Sequence, residues 1–229
     1  PMAELTLPVV IHGVTGRMGR IALRALRRLA EERCCRVDGD VVRPVGIGVS
    51  RRREALEHLS SEAGLQHYAT DVERAMELAR RLNPRWQVYH NTVSTGIRRA
   101  VLLEALPLLD PETTGVFMEK PIASHYGDGY AIVSALEHRG FEHGVVHQFL
   151  STPGIKRAVQ MIGDVRALSA QMVFGYEVGP GLGGNAEYSG QRPDFNWRFA
   201  EAGGGIILDM CHEGYISEAL FGETESVSA

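Results

Sequence analysis

A glycine loop set between a short apolar run and an amphipathic one restricts the fold more than any other feature. Residues 5–12 read as a buried strand, and residues 17–32 repeat with helical spacing. Met18, Ile21, Ala22, Ala25, Leu26 and Leu29 share one face of that helix, and most of its arginines share another. Between the two lies Gly13-Val14-Thr15-Gly16-Arg17-Met18-Gly19, a GxxGxxG form of the dinucleotide fingerprint. The first glycine permits a tight turn, the second lets backbone approach a pyrophosphate, and the third lets helix pack on strand. The helix N-terminus adds free N–H groups and the positive end of a dipole. Gly13, Thr15, Gly16, Arg17, Met18 and Gly19 are therefore the candidate phosphate-binding residues.

The alternation continues along the chain. Strands are expected at residues 43–49, 86–89, 115–118 and 144–149, and helices at 54–63, 72–82, 96–106, 130–138 and 152–161. This order predicts βαβ units and an α/β fold with a doubly wound parallel sheet. The pattern changes near Ser151. A long alternating strand (166–178), a glycine-rich loop (179–190), the triplet Gly203-Gly204-Gly205 and a final helix (206–221) follow. The expected organisation is a dinucleotide-binding domain over residues 1–150 and part of a second, α+β domain over 151–229. The second portion is thin for an independent core, so an incomplete domain is expected.

The 229 residues are 44% hydrophobic with a net charge of -4. That balance argues against a dedicated nucleic-acid or membrane-surface protein. No apolar stretch approaches the roughly 18 residues of a membrane span, and the first residues lack a signal-peptide pattern. Three cysteines, with Cys34 and Cys35 adjacent, make no disulfide framework and fit a reduced, cytoplasmic protein. No metal-ligand spacing is present, so no metal site is expected.

The second strand, at 43–49, refines the cofactor. Folds that prefer NAD place an acid near its end, on the ribose 2′-hydroxyl. Here the strand ends Gly48-Val49-Ser50-Arg51-Arg52, with Ser50 and Arg51 at the tip. An arginine there can pair with a 2′-phosphate, so NADP is expected, with NAD possible.

Chemistry concentrates at Glu119-Lys120-Pro121, after the strand 115–118. This puts an amine and a carboxylate at the carboxyl edge of a sheet, where open α/β sheets bind ligands. Pro121 stiffens the turn that aims Lys120, and an X-Pro bond can be cis. A lysine there can take the hydroxyl proton as hydride leaves an alcohol carbon, and Glu119 can hold the lysine or the cofactor. Asp209 and His212, three apart on the expected last helix, form a second candidate pair on one face. His12, His125, His143 and His147 read as packing or junction residues, Trp197 as a loop anchor and Cys211 as a small packed residue.

Three markers thus stand in order: Gly13-x-x-Gly16-x-x-Gly19, Met118-Glu119-Lys120-Pro121, and Gly203-Gly204-Gly205-x-x-x-Asp209 with His212. This order resembles the Gfo/Idh/MocA oxidoreductases, the family of glucose-fructose oxidoreductase and inositol dehydrogenase. The resemblance implies an N-terminal Rossmann domain and a C-terminal domain with a large open sheet. It implies a nicotinamide cofactor, a sugar, sugar acid or cyclitol substrate, and a homo-oligomer, dimer or tetramer. It implies Lys120 as the catalytic lysine, with Asp209 and His212 on the substrate side.

Three departures accompany it. The family's Asp-x-x-x-His is here one residue short, which turns a helical position by about 100°. Arg98 stands near the position of the family's histidine. The second domain lacks several strands, as a fragment of a longer protein would. Two other readings remain open: a dinucleotide-binding sensor or scaffold of the same fold, and a dihydrodipicolinate reductase. Gly16-Arg17-Met18-Gly19 resembles that reductase's loop, but its paired-histidine motif is absent.

Overall fold

The computed structural model describes residues 4–162 and 211–226. They fall in two compact units, the first ending at Val146 and the second beginning at His147. The expected strand 166–178, loop 179–190, Trp197, the glycine triplet and Asp209 lie outside the described residues.

The first unit is built on β1 (Glu4–His12), α1 (Arg17–Glu32), β2 (Arg36–Val37), β3 (Asp40–Val49), α2 (Arg53–Ala63), β4 (His67–Ala69), α3 (Val72–Leu82), β5 (Gln87–Asn91), α4 (Thr95–Ala105), β6 (Thr114–Met118), α5 (Tyr126–His138) and β7 (His143–Val145). The second unit contributes α6 (Pro153–Ile162) and α7 (His212–Phe221).

The strands run β3-β1-β5-β6-β7 across one sheet, all parallel, with β4 parallel to β3 at its far end. Strand order reverses on either side of β1, which pairs β3 on one edge and β5 on the other. The loops after β1 and β5 therefore diverge, opening the crevice in which such sheets take ligands.

Alternation along β1 divides the core. Val9 and Ile11 face one layer with Leu23 of α1 and Leu56 and Leu59 of α2. Val10 faces the other, with Ala75 and Met76 of α3, Leu102 of α4 and Ile132 and Leu136 of α5. Helices thus cover both faces, which is why the parallel strands are almost continuously apolar.

Several elements differ from expectation. β3 starts at Asp40 because it forms an antiparallel hairpin with β2. Asp38 and Gly39 both have positive φ, 51° and 90°, as a tight two-residue hairpin turn requires. β4 was not expected at all. α5 starts at Tyr126, four residues before the expected start, since Gly127 and Gly129 hide the helical pattern. β7 ends at Val145, and a 3₁₀ turn (Gln148–Ser151) replaces the rest of the expected strand. α7 begins at His212 with Cys211 as its N-cap. Asp209 lies outside the described residues, so the face expected to carry Asp209 and His212 is described only at His212.

Candidate active site

The loop after β1 is shaped by its glycines. Gly13 has a φ of 91°, where side chains are strained, and a Cβ there would lie 3.1 Å from the Val93 backbone nitrogen. Its N–H donates to Val49 O on β3, at 3.0 Å. Gly19 is the most confined, since a Cβ would meet Gly13 O at 2.4 Å and Val14 Cα at 2.5 Å. The first turn of α1 can lie against the loop only without that atom. Gly16 is the N-cap of α1, and no side chain caps it. It is exposed, as is Arg17, while Met18 is half-buried. The loop thus offers an open backbone face at a helix N-terminus, the arrangement that holds a phosphate.

Thr15 and Ser50 are buried and linked, Oγ1 to Oγ at 3.1 Å. The arginine that joins them is Arg52. Its Nη2 donates to Thr15 Oγ1 at 2.9 Å, and its backbone N–H donates to Ser50 Oγ at 3.3 Å. Arg51 is exposed. Burial of His12 and, less strongly, the Arg51 charge push its imidazole down to about 4, against a smaller opposing pull from Glu104. His12 Nδ1 pairs with the Tyr89 hydroxyl at 2.6 Å. Ser50 and Arg51 were expected at this tip and Arg52 was not; three consecutive arginines carry no signal of which one turns back over the loop.

β6 delivers the second group. Met118 is fully buried, and its neighbour Glu119 is 5% exposed. The Glu119 N–H donates to Asn91 O at 3.0 Å, which locks the strand end onto β5. Lys120 follows, half-buried, and the Lys120–Pro121 bond is cis. The Glu119 carboxylate lies 3.6 Å from Nε2 of buried His90. Glu119 was expected to hold the lysine or the cofactor; its carboxylate also meets His90, a residue not expected at the site.

Arg98 is also buried, 2% exposed, in the first turn of α4. Its Nη1 donates to both Glu119 O and Pro121 O, the carbonyls on either side of Lys120. Its Nη2 donates to Val93 O at 2.9 Å. Burial pulls the guanidinium down to about 10, and the nearby Glu119 charge pulls it up. It remains a cation at neutral pH.

The other histidine candidate is in the second unit. His212 is 1% exposed, pairs through Nδ1 with the Tyr215 hydroxyl, and meets the Phe149 ring edge-on at 4.6 Å. His147 stacks on Tyr215 at 4.2 Å, and burial lowers its pKa against the pull of Glu218. The imidazole of His212 is thus held inside an aromatic cluster. Cys211 is half-buried and takes part in no disulfide.

Among the described residues, no group of three or more His, Cys, Asp or Glu side chains converges as a metal site would require. No helix among them is long and apolar enough to cross a membrane.

No protein-family model matches the chain. A D-xylose dehydrogenase from Paenarthrobacter nicotinovorans is 28% identical over 228 residues, covering 96% of this chain and 55% of that protein. The chain therefore spans about half the length of this curated relative. Among solved structures, levoglucosan dehydrogenase in its apo form superposes with a TM-score of 0.67 at 16% identity, over 96% of this chain and 53% of that one. An NAD-binding oxidoreductase from Klebsiella pneumoniae gives 0.65 at 18%, over 96% and 54%. GenD2 of gentamicin A biosynthesis, solved in complex with NAD, gives 0.63 at 18%, over 97% and 55%. These structural likenesses establish the fold. The chain is a homologue of a D-xylose dehydrogenase and shares the Rossmann-type fold of these solved dinucleotide-dependent oxidoreductases.

Proposed function

We propose that the protein is an NADP(H)-dependent oxidoreductase acting on a CH–OH group of a sugar, sugar acid or cyclitol. The observation that carries this reading is the placing of two chemistries on one sheet edge. The glycine loop follows β1 and Lys120 follows β6, two strands away across β5, or roughly 10 Å at the usual strand spacing. The homologous D-xylose dehydrogenase supports the sugar class.

The residues present fit a dinucleotide. The two confined glycines, Gly13 and Gly19, and the open Gly16 face make a cradle that a Cβ would fill or distort. Arg52, held by Thr15 and near Ser50, provides a cation at the β3 tip for a 2′-phosphate, and exposed Arg51 adds a second. Nicotinamide, when bound, supplies the hydride acceptor or donor.

The chain's own part is proton handling. Lys120 exchanges the proton of the reacting hydroxyl, and Glu119, its neighbour in sequence, is a buried carboxylate beside His90. The resemblance assigns Asp209 and His212 to the substrate side, with the His212 ring oriented by Tyr215. His212→Asn should then lower kcat without altering NADPH binding; unchanged kcat would remove His212 from the reaction.

The test of the whole reading is a panel of sugars and polyols that includes D-xylose, offered with NADP to the full-length protein. Turnover of at least one supports the proposal. NADPH binding without turnover of any would favour a sensor or scaffold. A clearly lower KM for NAD than for NADP would refute the 2′-phosphate assignment.

A further inference from the structure

A buried arginine needs acceptors, and those of Arg98 are unusually placed. Its guanidinium spends Nη1 on the carbonyls of Glu119 and Pro121 and Nη2 on that of Val93. The first two carbonyls bracket Lys120, and the third lies in the loop after β5. Beyond Met118 the chain has left the β5–β6 ladder, whose last pair is Asn91 with Met118. The carbonyls past this point need other donors, because buried backbone oxygens are costly to leave unpaired. A planar guanidinium with donors in a fixed fork can serve several at set angles; a single ammonium cannot span them.

The anchor behind the fork is rigid. Arg98 sits one turn before Leu102, which is fully buried between α4 and the sheet. The side chain therefore links a packed helix to the Glu119–Lys120 and Pro121–Ile122 peptide units, which flank the Lys120–Pro121 bond. We propose that Arg98 is a positioning residue for Lys120, fixing the direction in which the amine leaves the sheet edge by gripping the backbone on both sides of it. This rests on the reading of Lys120 as the proton-exchanging group, and it explains why an arginine can stand where the resemblance would place a histidine.

The sequence has two lysines, Lys120 and Lys156, so amine chemistry can follow the first with the second as internal reference. The experiment uses the full-length protein as wild type, Arg98→Met, Arg98→Lys, Lys120→Met and the Arg98→Met/Lys120→Met double variant. NADP is the cofactor, and D-xylose, or whichever panel sugar is turned over, is the substrate. Arg98→Met should lower kcat by about 10–100-fold, the scale of a catalytic group displaced by about an ångström. KM for NADP should change little, and Arg98→Lys should recover only part of the rate. In the Lys120→Met background, Arg98→Met should have almost no further effect, since it acts through the missing amine. A full, independent loss in that background would overturn the proposal.

Competitive acetylation read by mass spectrometry supplies the second arm. The ratio of Lys120 to Lys156 labelling should shift several-fold in Arg98→Met and by less in Arg98→Lys. An unchanged ratio in both would overturn positioning whatever the rates show. Should Arg98→Met not fold, the Arg98→Lys ratio decides. If Lys120→Met turns over like wild type while the labelling ratio still shifts, the catalytic reading of Lys120 fails and the positioning does not.

Discussion

Gly19→Ala probes the glycine loop at its most confined point. The new Cβ would lie 2.4 Å from Gly13 O and 2.5 Å from Val14 Cα, both backbone atoms. Ordinary contact begins near 3.4 Å, so the first turn of α1 and the loop must separate by about 1 Å. No flexible side chain is available to absorb this. Overpacking of this kind costs about 1–3 kcal/mol, which lowers Tm by roughly 2–12 °C for a chain of this length. Because the displaced turn carries the N–H groups at Gly16 and beyond, NADPH affinity should fall as well. Gly16→Ala is the control. Its φ of -77° suits alanine, and its Cβ would meet only Gly13 O, at 3.2 Å. That variant should keep close to the wild-type Tm while weakening NADPH by about tenfold or more, or about 1.4 kcal/mol, because the methyl occupies the side offered to the phosphate. Calorimetry and fluorescence titration with NADPH read both quantities. Wild-type Tm and wild-type affinity in Gly19→Ala would refute the argument, since they would show that the loop yields freely.

Further expectations concern the same edge. Arg52→Ala should raise KM for NADP severalfold and leave KM for NAD nearly unchanged, with Arg51→Ala weaker; equal effects on both cofactors would place Arg52 outside the 2′-phosphate site. His12 is held neutral by burial and by Arg51, with a folded pKa of about 4 against 6.5 unfolded. The unfolded chain therefore binds the proton first, so stability should be full above about pH 6.5 and decline as pH falls towards 4. His12→Gln should flatten that part of a denaturation-versus-pH curve, and an unchanged slope would contradict the assignment. Leu102→Ala, fully buried behind Arg98, should lose about 2–5 kcal/mol in chemical denaturation; a loss under 1 kcal/mol would mean that α4 is not a firm anchor.

How much of this was legible depends on how locally each feature is encoded. α1 and α3 follow from periodicity alone, because long amphipathic helices with one apolar face leave little ambiguity. The glycine loop was legible because its spacing maps directly to steric need. The β2–β3 hairpin was signalled by Asp38-Gly39, but two-residue β2 is too short for any alternation to show. β4, three residues long, exists through its pairing with β3 rather than through its own sequence. Arg98 was the harder case. Beside Arg99 and near a helix start it reads as a solvated charge, and two of its three acceptors are carbonyls more than twenty positions away. Backbone oxygens leave no mark in a sequence, so a side chain that binds them cannot be found by composition or spacing. The same holds for His90, whose partner Glu119 becomes its neighbour only when β5 and β6 pair.

The most direct test of the account is the turnover of Lys120→Ala in the full-length protein, measured by nicotinamide absorbance with NADP and a sugar that the wild type oxidises. The account predicts a fall in kcat of about 10²–10⁴, with NADPH binding and Tm close to wild type. Turnover equal to wild type would contradict it.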